Sequence, residues 1–177
     1  MRRLLYLLAL GALGGGVALA DTGDKGFVDK AAAGGAAEVK LSKLAMDKGQ
    51  SPEVKQFARK MVEDHTKANM ELKQIAEKKS LSVPTAMDEK HQKIYDKLVK
   101  LQGADFDKEY MRAMANDHDD TIKLFKDQSE NGQDPELKSF AMKTLPTLQK
   151  HDDMVKMDEK QMGNMPGEKM KNTLPPK

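Results

Sequence analysis

The stretch SPEVKQFARKMVEDHTKANMELKQIAEKK, residues 51–79, decides the fold. Val54, Ala58, Met61, His65, Ala68, Leu72 and Ile75 recur at alternating steps of four and three. That spacing puts them on one stripe of an α-helix, the pattern of a helix packed along a bundle seam. Ser51 offers a side-chain cap, and Pro52 suits the first helical position, where its missing N–H had no partner to lose.

Working outward, the same device recurs. Asp134-Pro135-Glu136-Leu137-Lys138-Ser139-Phe140-Ala141 matches Ser51-Pro52-Glu53-Val54-Lys55-Gln56-Phe57-Ala58. The two halves of the chain read as diverged copies of one helical hairpin. Gly49 and Gly132 stop the helices before each restart. The expected helices run over about 25–48, 52–79, 106–130 and 135–161, with a short one over about 86–101. Gly103 is expected to end the short helix and Asp105 to cap the next. Pro146 falls inside the last helix, where it removes a backbone hydrogen bond and should kink it. The two tight turns predict two antiparallel hairpins. The longer connection between them, with its short helix, predicts a crossover. The fold class is therefore all-α, a ferritin-like antiparallel four-helix bundle.

The first twenty residues read as an export signal. Arg2 and Arg3 precede a short apolar run, and Ala18-Leu19-Ala20 has the small-x-small form of a cleavage site. The expected organisation is a cleaved signal over 1–20, the helical domain over 21–161, and a disordered Met/Pro/Lys-containing tail over 162–177. No cysteine follows the apolar run, so a lipoprotein anchor is excluded, and the chain has no disulfide. The expected location is periplasmic, with no membrane span after cleavage. The formal charge of +2 rests on the two leader arginines. Without them basic and acidic residues balance and are interspersed, which argues against a nucleic-acid or membrane-binding surface.

What interrupts the apolar stripes is more telling. Each main helix turns one ionisable residue inward: Glu38, His65, His118 and His151. Burying such groups without partners costs about 2–7 kcal/mol each. Two readings follow. In one, the four side chains converge on a single transition metal; three imidazoles and a carboxylate suit zinc, copper or iron. In the other, no cofactor is bound and Glu38, His65, Tyr110, His118 and His151 form a buried hydrogen-bond network. A di-iron centre is disfavoured, because Glu-x-x-His pairs are missing: Val62 and Leu148 stand three before His65 and His151. His91 lies on an apolar stripe of the short helix with Met87, Ile94, Leu98 and Leu101. Met154, Met157, Met162 and Met165, with Met111 and Met114, offer soft ligands for Cu(I), against the plainer role of core filling. Asp117, Asp119, Asp120, Asp152 and Asp153 flank two histidines and are expected to be mostly solvated. No phosphate loop or nucleophile elbow is present, and no catalytic residue is assigned.

Residues 36–45, 54–66, Phe106-Asp107-Lys108-Glu109-Tyr110 with His118, and Leu137-Lys138-Ser139-Phe140-Ala141 with Leu145-Pro146-Thr147-Leu148 and His151 resemble the four helices of a bacterial family, domain of unknown function 4142. The resemblance covers about 27–160. It implies an exported ferritin-like domain and no particular reaction. Members are often labelled outer membrane proteins, but a helical mature chain is not an outer-membrane β-barrel. The leading functional expectation is a non-enzymatic exported module, either a binding protein or one acting in envelope stress. The alternative is a metal-binding ferritin-like protein.

Overall fold

The computed structural model describes residues 21–163, with side chains described over 23–157. The expected signal segment and all but the first residues of the expected tail lie outside that range. Five helices and no strands are present among the described residues: α1 Asp21–Lys48, α2 Pro52–Lys78, α3 Glu89–Lys100, α4 Gly103–Asn131 and α5 Pro135–Gly163.

The helix starts follow local chemistry. Ser51 Oγ accepts from the Val54 N–H at 3.1 Å, and Pro52 opens α2. Asp134 Oδ1 accepts from the N–H groups of Glu136 and Leu137, and Pro135 opens α5. Asp88 caps α3 by accepting from the His91 N–H, so that helix starts later than its periodicity predicts. At α4 the expectation fails. Gly103 begins the helix with a left-handed φ of 59°, Gln102 occupies the cap position, and Asp105 lies inside the first turn. The glycine tolerates that backbone and carries the chain from α3 into α4 without a linker. Helix α5 runs through Pro146.

Contacts at the helix ends fix the packing. α1 packs along α2, and α4 along α5; α1 also lies against α4, and α2 against α5. The start of α4 meets the end of α1, where Asp107 accepts from the N–H groups of Gln50 and Ser51 at 2.9 and 2.8 Å. The end of α2 meets the start of α5, where Lys79 pairs with Asp134 at 2.6 Å. Each of these neighbouring pairs is therefore antiparallel. α3 packs on α1 and α4, with Lys48 donating to the Leu98 and Val99 carbonyls.

The two hairpins hold each other's turns. Asp107 of α4 binds the turn between α1 and α2. Asp24 of α1 binds the turn between α4 and α5, accepting from the Gln133 and Asp134 N–H groups and from Gln128 Nε2. The two aspartates stand the same distance in sequence ahead of Ser51 and Asp134, so the internal repeat extends to this device. Both are buried.

Two apolar clusters occupy the two ends of the interior. One gathers Leu41, Phe57, Met61, Tyr110, Met111 and Met114. The other gathers Phe27, Leu72, Phe125, Leu137 and Phe140. The ionisable residues of the inner stripes belong to neither.

Replacing Asp24 or Asp107 with alanine strips a charged acceptor from two turn N–H groups. Each change should lower the free energy of unfolding by about 2–4 kcal/mol, taking about 1.5–3 kcal/mol for a bond to a charged group. Chemical denaturation checks this against Glu53→Ala, an exposed change expected to stay within about 0.5 kcal/mol. Losses no larger than the control's would contradict the role given to the two aspartates.

Candidate metal centre

Four helices deliver one side chain each to the same level of the interior: Glu38 from α1, His65 from α2, His118 from α4 and His151 from α5. All four are buried, with His118 and His151 at 0% exposure. The three imidazole ring centres stand 5.3, 5.5 and 5.6 Å apart.

Each ring is oriented by one hydrogen bond. His65 Nδ1 donates to Glu38 Oε2 at 2.8 Å. His118 Nδ1 donates to the Met114 carbonyl at 2.9 Å and lies 3.5 Å from Glu38 Oε1. His151 Nε2 donates to Asp64 Oδ2 at 2.8 Å, and Asp64 also accepts from Lys60 Nζ at 2.8 Å. The other nitrogen of each ring, His65 Nε2, His118 Nε2 and His151 Nδ1, is buried without a hydrogen-bond partner. One ring nitrogen from each histidine lies within 4.8 Å of the other two. A donor bond at one ring nitrogen fixes the tautomer and leaves the other as the ligating atom, which is how second-shell partners prepare a metal-binding histidine.

The titration behaviour follows from burial and from the charges of neighbouring groups. Burial would raise the Glu38 carboxyl, but the neighbouring His65 and His118 hold it below its ordinary value. Burial would lower His65, and the Glu38 charge and hydrogen bond outweigh that and raise it. His151 is pushed down to about 4, by burial first and then by the charge of His65, with Asp64 opposing.

Tyr110 is buried in the apolar cluster beyond this layer, and its hydroxyl bonds Ser42 at 2.8 Å rather than any imidazole. Burial pushes its ionisation up, and the Glu38 charge adds to this. His91 behaves unlike the other three. Its Nδ1 meets Asp88 at 2.8 Å and its Nε2 meets Asp117 at 3.0 Å, so both nitrogens are used. Asp117 also takes Lys90. This group ties α3 to α4. Of the five flanking aspartates, Asp119, Asp120 and Asp153 are exposed, as expected of most of them, while Asp117 and Asp152 are buried. Met111 and Met114 are wholly buried core residues, and Met157 is exposed.

Asp64 is the residue that sequence reasoning passed over. It adjoins His65 and, like most i−1 neighbours, points to another helix face. Its spacing of four from Lys60 marks a surface ion pair, and only the packing of α5 on α2 brings His151 to it.

With this geometry in view, comparison with known proteins gives the family. The model for the domain of unknown function DUF4142 matches residues 15–157. The chain belongs to the DUF4142 family. No curated protein matches it. Among solved structures, the DUF4142 chain is similar to CopM in its Cu(II)-bound form, with a TM-score of 0.68 and 20% identity over 78% of this chain and 96% of that one. CopM in its Cu(I)-bound form gives 0.66 and 20% over the same shares. A DUF305 protein from Streptomyces coelicolor, described as secreted, gives 0.68 and 15% over 81% of this chain and 96% of that one. At such identities the likeness is one of helical fold. No helix among the described residues is long and apolar enough to cross a membrane.

The sign of the pH dependence follows. An imidazole lowered in the folded state contributes stability above its ordinary value of 6.5 and loses it as pH falls toward about 4. His65, raised, contributes fully below 6.5 and loses its contribution as pH rises through its folded value. Glu38, lowered, contributes above 4.5 and loses it only as pH falls through its folded value. Metal-free protein should therefore weaken through His151 as pH falls from about 6.5 toward about 4. Urea denaturation of His151→Gln should show less than about half of that loss; an equal loss would contradict the assignment.

Proposed function

We propose that this DUF4142 protein is an exported, ferritin-like bundle that binds a single transition-metal ion through His65, His118 and His151. The observation that carries the reading is the trio of buried imidazoles: each keeps one ring nitrogen without a hydrogen-bond partner, and one ring nitrogen from each lies within 4.8 Å of those of the other two. A self-sufficient hydrogen-bond network would use those nitrogens. Here each ring spends only one nitrogen on orientation, as the fully paired His91 does not.

Tetrahedral ligation at about 2.0–2.1 Å puts ligand nitrogens roughly 3.3–3.5 Å apart. One nitrogen from each ring lies within 4.8 Å of the other two, somewhat wider, so ligation would draw the rings together. Glu38 and Asp64 serve as orienting carboxylates on His65 and His151, so the ligand set is three imidazoles with Glu38 behind them. Imidazoles suit zinc, copper, iron or nickel. Displacing the proton that Glu38 favours on His65 couples binding to pH, with affinity rising as pH rises.

Further support comes from the surroundings. CopM, similar in fold, is described in copper- and silver-bound forms. The DUF305 protein described as secreted is consistent with the export signal expected over residues 1–20. The antiparallel neighbours and the long α2-to-α4 connection support ferritin-like connectivity. The absence of Glu-x-x-His pairs supports one ion rather than two.

Isothermal titration with zinc and with copper, backed by elemental analysis, tests this. One ion per chain is expected. His65→Ala and His118→Ala should each weaken binding by more than about 100-fold, and Asp64→Asn by about 10–100-fold, the usual cost of losing an outer-shell partner. Substoichiometric metal that is indifferent to these substitutions would overturn the reading.

A further inference from the structure

The short helix α3 is fastened to the bundle at both ends, by two kinds of contact. Toward its C-terminal end Lys48 of α1 donates to the Leu98 and Val99 carbonyls, and Lys40 of α1 lies 4.6 Å from the centre of the Tyr95 ring. Lys97 there pairs with Glu109 of α4 at 2.8 Å. At the N-terminal end the fastening is His91. Its Nδ1 lies 2.8 Å from Oδ1 of Asp88, the cap residue of α3. Its Nε2 lies 3.0 and 3.1 Å from the two carboxylate oxygens of Asp117 on α4. Lys90 bridges Asp117 and Asp120 of α4 at 2.9 and 3.1 Å. The His91 and Asp117 side chains are both buried, at 6% and 5% exposure.

An ionised carboxylate accepts hydrogen bonds and does not donate them. Both nitrogens of His91 face carboxylates, so both carry a proton and the ring is an imidazolium. In a neutral ring one nitrogen would present a lone pair to a carboxylate, a repulsion that a buried setting makes costly. The ring's place in the first turn of α3 works against its charge, because the helix dipole there disfavours a cation. Burial also would lower His91, and the hydrogen bonds and charges of Asp117 and Asp88 outweigh it and raise the ring above its ordinary value. A raised imidazole contributes fully below 6.5 and loses its contribution as pH rises through its folded value. The contacts at the far end of α3 involve no imidazole.

We propose that His91 is a proton-dependent clasp, which as an imidazolium bridging Asp88 and Asp117 holds the first turns of α3 on α4 and on losing its proton to solvent lets that end of the helix go. Release frees the irregular connection over residues 79–88 as well, since His91 is the first buried anchor after it. It also uncovers the face of α4 around Asp117. The clasp stands apart from the metal reading: His91 is on the crossover helix, and it spends both nitrogens on carboxylates.

The test follows the full chain, free of added metal, by NMR from about pH 6 to about pH 9.5. It reads the His91 ring and the protection of the α3 amides against hydrogen exchange, corrected for the intrinsic pH dependence of exchange. Protection in α3 should fall, in step with the ring, by at least about tenfold more than in α2 and α5, which report any change in the whole bundle. His91→Gln keeps one N–H donor and does not titrate; its α3 amides should be poorly protected throughout, with that pH dependence gone. Asp88→Asn keeps a capping side chain and removes one charge. It should move the ring titration and the loss of protection down together by about 0.5–1 pH unit. Wild-type α3 protection that merely tracks α2 and α5 would overturn the clasp. So would the same pH dependence in His91→Gln, or an unmoved midpoint in Asp88→Asn, which decides the matter if the glutamine variant does not fold.

Discussion

Three imidazoles packed against one another in a helical interior, two of the pairs edge to face, are the constraint around which the structure is arranged. Such rings are polar, and two that carry charge at once repel. The bundle tolerates them because each is tied to an acceptor on a definite helix: Glu38 on α1 for His65, the Met114 carbonyl on α4 for His118, and Asp64 on α2 for His151. These bonds run between helices in two of the three cases. They couple the register of α1 to α2 and of α2 to α5. Yet they satisfy only half of the imidazole nitrogens, and buried polar atoms are rarely left unpaired without a reason. The remaining deficit is what a cation would meet.

The scaffold makes that arrangement precise by treating its two hairpins alike. Asp24 and Asp107 each cross to the other hairpin's turn, and Ser51 and Asp134 cap corresponding helices. With both turns pinned, the four long helices have little freedom to slide. The apolar clusters on either side of the histidine layer then fix its height, with Phe57 edge-on to His151 on one side and Phe125 in the cluster on the other. Hydrophobic burial is thus concentrated in two flanking cores, and the four inward ionisable side chains lie between them.

Much of this was legible in the sequence because helical periodicity is a local signal. The stripe from Val54 to Ile75 placed His65 inward, and the matching stripes placed Glu38, His118 and His151 with it. The repeated Ser51-Pro52 and Asp134-Pro135 starts gave the hairpins. What escaped reading depends on contacts between helices. Asp64 lies off the inner stripe and meets His151 only because α5 packs on α2. Asp117 looked solvated from its own helix and is buried by α3. Gly103 read as a stop because glycine usually is one, but its left-handed backbone here starts α4. Tyr110 shares the interior with the histidines, and its partner, Ser42, is set by the packing of α1 on α4. The choice between a closed network and a metal site also lay beyond periodicity, since it depends on which nitrogen of each ring is used.

X-ray absorption of the protein loaded with one equivalent of zinc tests the central claim most directly. The account predicts a shell of nitrogen ligands at about 2.0–2.1 Å with the outer-shell scattering of three imidazoles. A shell of carboxylate oxygen or thioether sulfur with fewer than two imidazoles would contradict it.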